Sequence, residues 1–210
     1  MSVVKPSRRS NQERREQSTE QVLDSALKLF VSNGYGATSI DDIARLAGLT
    51  KGAVYFYFKG KSALLLELIA QSAALYEGIF SRMGGSALSA AAQLELFVDW
   101  AAEVGAQNNE LLLLPVLMSL EIGSRDEGVE KVLDKLYDRY HEEMERVVLM
   151  GQGSGEFDAA LFPREQAAIL VALTDGMLLE WFRRRQRLSG SQLTQSAKTL
   201  IVHGLRATRY

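Results

Sequence analysis

An all-α fold is predicted from three observations. Apolar residues recur at helical spacing through nearly the whole chain, no segment shows the two-residue alternation of a strand, and breaks divide it into about nine helical stretches. The first stretch covers residues 13–32, where Val22, Ala26, Leu29 and Phe30 form a stripe and Asn33-Gly34 stops the helix. The second is short. Ser39 is its N-cap, Asp42 completes a capping box, and Ile40, Ile43, Ala44 and Ala47 face inward. Gly48 permits a tight turn, Leu49 packs inward, and Thr50 caps a third helix reaching Tyr57, with Val54 and Phe58 as anchors. A fourth helix over 62–83 starts at Gly60 or Ser62, ends at Gly84-Gly85 and is roughly 33 Å long at about 1.5 Å per residue. The remainder reads as helices over 89–107, 110–122, 126–150, 163–188 and 191–207, with Pro163 in a first turn and 151–161 as a loop.

The 210 residues are 47% hydrophobic and 24% charged, as in an ordinary soluble globular chain. There is no cysteine, which excludes disulfides and thiolate metal sites. His141 and His203 are the only histidines and have no neighbour at ligand spacing, so neither a metal nor a cofactor is expected. The N-terminus is polar and basic, unlike a signal peptide. The apolar run 111–118 contains Pro115 and falls far short of the ~18 residues of a membrane span. A cytoplasmic protein without a membrane partner is expected. Its charge is uneven: residues 1–61 carry +4 and residues 62–210 carry −6, for a net −2. A basic front and an acidic back suit a small DNA-binding head, 1–61, on a helical body, 62–210, with the 62–83 helix connecting them.

Residues 40–58 carry the functional signal. Two short helices joined at Gly48 form a helix-turn-helix, whose second helix can enter the major groove. Thr50, Lys51, Gly52 and Ala53 stand at its N-terminal end, where bases are read. Lys51 can donate to guanine acceptors, small Gly52 and Ala53 allow close approach, and an alanine methyl can touch a thymine methyl. Tyr55 and Tyr57 can reach phosphate or serve as packing aromatics, Phe56 between them is also expected to contact DNA, and Lys59 and Lys61 add positive charge. Arg8 and Arg9 read as a solvated tail, and Arg183, Arg184, Arg185 and Arg187 as a solvated helix end that complements the dipole. The 151–155 run lacks the lysine and spacing of a phosphate loop.

The runs 22–30, 34–44, 47–55 and 58–61 together resemble the N-terminal domain of TetR-family repressors, over roughly residues 13–66. Gly155-Glu156-Phe157, Pro163 and 173–177 resemble the later part of many family bodies. The resemblance implies a homodimer on double-stranded operator DNA, a four-helix interface from the last two helices of each subunit, and a small-molecule effector in the body. It also implies that Thr38 and Ser39 touch phosphate, that Lys51 lies over bases, that Tyr55 and Tyr57 meet the backbone and that Lys61 pairs with phosphate. The chain departs from the pattern at Tyr57, where many members have histidine, and at Gly60, where a better capping residue is usual and a frayed helix start is therefore expected.

Within the body, Leu170, Leu173, Met177, Leu178, Trp181, Leu193, Leu200, Ile201 and Leu205 supply apolar stripes for the dimer, some of which serve the subunit's own core. Trp100, Met118, Tyr137, Met144, Met177 and Trp181 are candidates to line an effector cavity, and Glu121 is either an orienting polar group or solvated. The expected function is ligand-responsive regulation: repression of a palindromic operator relieved by a small, mostly hydrophobic effector. The alternatives are a helical scaffold binding only protein, against which the tyrosine-bearing basic helix-turn-helix argues, and an all-α enzyme, for which no nucleophile, base or cofactor loop can be assembled.

Overall fold

The computed structural model describes residues 11–85, 87–122 and 126–206, so the expectation for Arg8 and Arg9 lies outside the described residues. Eight helices are described: α1 (Asn11–Asn33), α2 (Ile40–Ala47), α3 (Lys51–Tyr57), α4 (Lys61–Gly84), α5 (Ala90–Glu121), α6 (Glu127–Gly153), α7 (Pro163–Arg184) and α8 (Gly190–Leu205). Among the described residues the only β pairing is an isolated antiparallel bridge between Phe157 and Arg206. The chain forms two compact units that divide between Leu68 and Ile69, inside α4.

In the first unit, Val22, Ala26 and Phe30 of α1, Ile40, Ile43 and Ala44 of α2, Val54 of α3, and Leu64, Leu65 and Leu68 of α4 are buried. Gly34, at φ 86°, closes α1 by donating its N–H to Phe30 O at 3.1 Å. Both arms of the Ser39–Asp42 capping box are present. Gly48, at φ 69°, takes the left-handed conformation, and Leu49 N donates to Ala44 O at 2.9 Å, which fixes the turn between α2 and α3. Gly60 has φ 151°, a value that L side chains rarely adopt, which accounts for glycine where a capping side chain would otherwise serve. Helix α4 begins in the next residue, with Leu64 N donating to Gly60 O at 3.3 Å, instead of fraying.

The second unit holds the rest of α4 and helices α5 to α8. By length and composition α4 could cross a membrane, with a mean hydropathy of 1.4. Its Leu64, Leu65, Leu68, Ile69, Tyr76, Ile79, Phe80 and Met83 are instead buried within the protein, and Glu67, Glu77 and Arg82 stand on it. Residues 89–107 and 110–122, expected as two helices, are one. The backbone at Asn108-Asn109 stays helical, and Pro115 lies within α5. Proline there removes one backbone hydrogen bond, but Leu111, Leu112, Leu113 and Leu114 are buried around it and hold the helix by packing.

The loop after α6 ties the unit together. The Glu156 carboxylate accepts from Ser89 Oγ at 2.8 Å and from the N–H groups of Ala90 at 2.8 Å and Ala91 at 3.3 Å, satisfying free donors at the start of α5. Phe157 is buried against Gly151, where a Cβ would meet its ring at 2.1 Å. Asp158 N donates to Leu205 O at 3.0 Å, so the same loop holds the end of α8.

Candidate nucleic-acid interface and body cavity

Helix α3 has one buried anchor, Val54, while Lys51, Gly52, Tyr55 and Phe56 are exposed and Ala53 and Tyr57 half-buried. Thr50 Oγ1 accepts from Ala53 N at 3.2 Å and so sets the start of the helix. Lys51 Nζ donates to Asp41 Oδ2 on α2 at 2.9 Å, and that partner raises the lysine pKa. The pair is exposed, so exchanging Asp41 for another acceptor has a small cost. Phe56 is 72% exposed, with the Tyr57 ring edge-on at 5.2 Å and the Arg15 guanidinium 5.9 Å from its centre.

Two residues expected at phosphate are bonded within the protein. Thr38 is buried, and its hydroxyl donates to Gly34 O at 2.8 Å and to Leu29 O at 3.2 Å, so its side chain joins α1 to α2. Lys61 Nζ donates to Tyr35 O at 2.6 Å and Thr38 O at 2.8 Å and lies 4.2 Å from the centre of the Tyr35 ring. It therefore pins the 34–38 turn to α4. Ser39 is exposed, but its hydroxyl is within 2.5 Å of Asp42 Oδ2, and the resulting hydrogen bonds lower the Asp42 pKa.

In the second unit, Tyr76, Phe80, Phe97, Trp100 and Tyr140 form an aromatic core with ring centres 5.1 to 6.3 Å apart. Trp100, Met118 and Met144 are buried in the body. Tyr137 donates to Asp175 Oδ2 at 3.2 Å. Burial raises the Asp175 carboxyl to about 6, opposed by the Tyr137 hydrogen bond and by nearby His141. Burial likewise raises the phenol pKa values of Tyr76, Tyr137 and Tyr140 and keeps them protonated. Ser72 Oγ and Asp175 Oδ1 are buried without a hydrogen-bond partner among the described residues. Glu121 lies half-buried at the end of α5, away from that cluster in sequence.

A cleft of about 300 Å³ opens between α5, α7 and α8. Its existence follows from side-chain size: Ala101, Ala102, Gly105 and Ala106 of α5 stand opposite Met177 and Trp181 of α7 and Leu193 of α8. Met177 and Trp181 are thus the two expected cavity residues that line it. Sequence reasoning missed the α5 wall because alanine and glycine at helical spacing look the same whether they pack a core or leave a gap.

Among the residues expected at a dimer interface, Leu170, Leu178, Ile201 and Leu205 are buried within the subunit, Leu173, Met177, Trp181 and Leu193 are half-buried, and Leu200 is exposed. The buried four serve the subunit's own core. The outward stripe is Ile169, Ala172 and Gly176 on α7, with Leu200 on α8. Ile169 and Leu200 are 57% and 63% exposed.

An all-helical chain with a capped helix-turn-helix and a separate helical body defines a DNA-binding regulator of the one-component type. Comparison with known proteins gives its family. The profile described as "Bacterial regulatory proteins, tetR family" matches residues 22–68, and "BetI-type transcriptional repressor, C-terminal" matches residues 90–206. The chain is similar to the crystal structure of the MbdR regulator from Azoarcus sp. CIB, with 37% identity, a TM-score of 0.82, and coverage of 90% of this chain and 100% of that one. It is 22% identical over 185 residues to the fatty acid metabolism regulator protein of Bacillus subtilis (strain 168), covering 88% of this chain and 94% of that protein. The structure of the Bacillus subtilis regulator FadR in complex with stearoyl-CoA shares the fold, with 21% identity, a TM-score of 0.71 and coverage of 89% and 99%. The chain belongs to the TetR family of bacterial transcriptional regulators, and it is a regulator rather than an enzyme.

Proposed function

We propose that this protein is a cytoplasmic homodimeric repressor that holds a palindromic operator and releases it when a small, mostly hydrophobic effector binds the body. Residues 1–61 act as the head and 62–210 as the effector-binding and dimerisation body, joined through the helix over 62–83. The observation that carries this reading is the outer face of α3: Lys51, Gly52, Tyr55 and Phe56 are exposed together on a helix anchored from behind by Val54. Thr50 to Ala53 read bases. Tyr55, Phe56 and Tyr57 meet the backbone, and Ser39 contacts phosphate by giving up its bond to Asp42. The stripe of Ile169, Ala172, Gly176 and Leu200 supports the dimer, because its small residues let helices approach closely and its two large ones supply apolar area.

Effector and operator are coupled through an equilibrium between body states, and a ligand shifts that equilibrium only by its differential affinity for them, typically ~1–3 kcal/mol. Selection from random duplexes tests the reading. Enrichment of sequences with two-fold symmetric half-sites about one helical turn apart, or a multiple of it, is expected. Recovery of no preferred sequence removes it.

A further inference from the structure

The cleft between α5, α7 and α8 ends at the turn that joins the last two helices. Trp181, three residues before the end of α7, and Gly190 and Ser191, which open α8, line that end. Trp181 and Gly190 meet there: a Cβ on Gly190 would lie 3.2 Å from the indole ring. The chain between them carries Arg183, Arg184, Arg185 and Arg187. All four are exposed; Arg184 pairs with Glu180 at 2.9 Å, while Arg183, Arg185 and Arg187 have no ion pair among the described residues. No acidic residue lines the cleft, and its polar groups are the hydroxyls of Thr174, Ser191 and Thr194. Two of these arginines lie in the last turn of α7 and offset its dipole. Arg185 is the C-cap of α7, and Arg187 lies two residues beyond it.

We propose that this cleft with its arginine turn is a binding site for a free amphipathic anion, with an apolar chain or ring between α5 and α7 and a carboxylate or phosphate held by Arg183, Arg185 and Arg187. The assignment rests on the reading of the body as the effector-binding part and names the effector's chemical class. Guanidinium groups match both head groups with paired N–H donors, and such charge-assisted bonds are the stronger kind. At about 300 Å³ the cleft sits at the lower end of ligand sites, so it takes the apolar part and leaves the head at the surface. An apolar site with a few placed polar groups at one end gives an amphiphile a single direction of entry.

The full chain is titrated with decanoate, decyl phosphate and decanol, followed by tryptophan emission and by calorimetry. Both anions bind about tenfold or more tightly than decanol. The head group with the higher affinity identifies the effector as a carboxylate or a phosphate ester. Arg183→Gln, Arg185→Gln and Arg187→Gln together remove the advantage of the anions and leave decanol binding as it was. Ala102→Phe, which fills the cleft, weakens all three. Equal affinity for decanol and decanoate in the native protein overturns the proposal, and so does undiminished decanoate binding by the arginine variant, whose changes are confined to exposed positions. Operator affinity in the same titrations separates the site from its regulatory role: anion binding with unchanged operator affinity keeps the site and removes the effector reading.

Discussion

The head and the body use their polar groups in opposite ways. In the head, the Thr38 hydroxyl, the Lys61 ammonium and the Ser39–Asp42 pair are all bonded within one small unit, and each fixes a turn or a helix start. In the body, Ser72 Oγ and Asp175 Oδ1 are buried without a protein partner among the described residues, and the Asp175 carboxyl is raised to about 6. A surface that reads DNA works best when its geometry is already set before contact. A body that answers a ligand needs groups whose energy depends on its contents, and unpaired polar atoms in a low dielectric are the strongest such groups.

The largest effect expected from this contrast concerns the body's outer stripe. Ile169→Asp with Leu200→Asp buries charge in the proposed interface, so light scattering at micromolar concentration gives the monomer mass where the native protein gives the dimer. A native chain that is already monomeric contradicts the dimer. Next in size is Gly151→Ala. The added methyl falls 2.1 Å from the Phe157 ring, and the loop that holds α5 and α8 must shift. A loss of about 3 kcal/mol is expected in chemical denaturation, as for overpacked cores. Smaller, but specific in its pH dependence, is Asp175→Asn. The folded carboxyl titrates at about 6 against 3.8 unperturbed. The native state therefore binds more protons than the unfolded state between these values, and stability falls as pH rises through that window. The asparagine variant loses this dependence and gains stability over the native chain above pH ~6, with no gain below pH ~4. Equal pH profiles for the two proteins contradict a buried, destabilised carboxyl.

How much of this was legible in the sequence follows the same division. Ser39, Asp42, Gly48 and Thr50 act on neighbours a few residues away, so fixed offsets suffice to read the helix-turn-helix from the chain. Thr38 and Lys61 illustrate the limit, since a hydroxyl or ammonium bonds a backbone carbonyl as readily as a phosphate, and only the positions of Gly34, Leu29 and Tyr35 decide which. In the body the decisive contacts are remote. Glu156 caps α5 from a distance of 67 residues along the chain, and the cleft depends on small α5 residues facing large α7 ones. The Asn108-Asn109 pair reads as a break, but packing carries α5 through it.

The claim that the head divides its lysines between reading and holding is tested most directly by Lys51→Ala and Lys61→Ala side by side. Operator affinity and melting temperature are measured for each. Lys51→Ala is expected to lose specific affinity by roughly tenfold to a hundredfold, the ~1–3 kcal/mol of a base contact. Its melting temperature stays within about 2 °C of the native value, because an exposed pair such as Lys51–Asp41 adds little stability. Lys61→Ala lowers the melting temperature by several degrees through loss of its two carbonyl bonds, and the operator affinity of its remaining folded fraction changes less than that of Lys51→Ala. The opposite pattern, with Lys51→Ala unfolding the head and Lys61→Ala abolishing operator binding at native stability, would contradict the account.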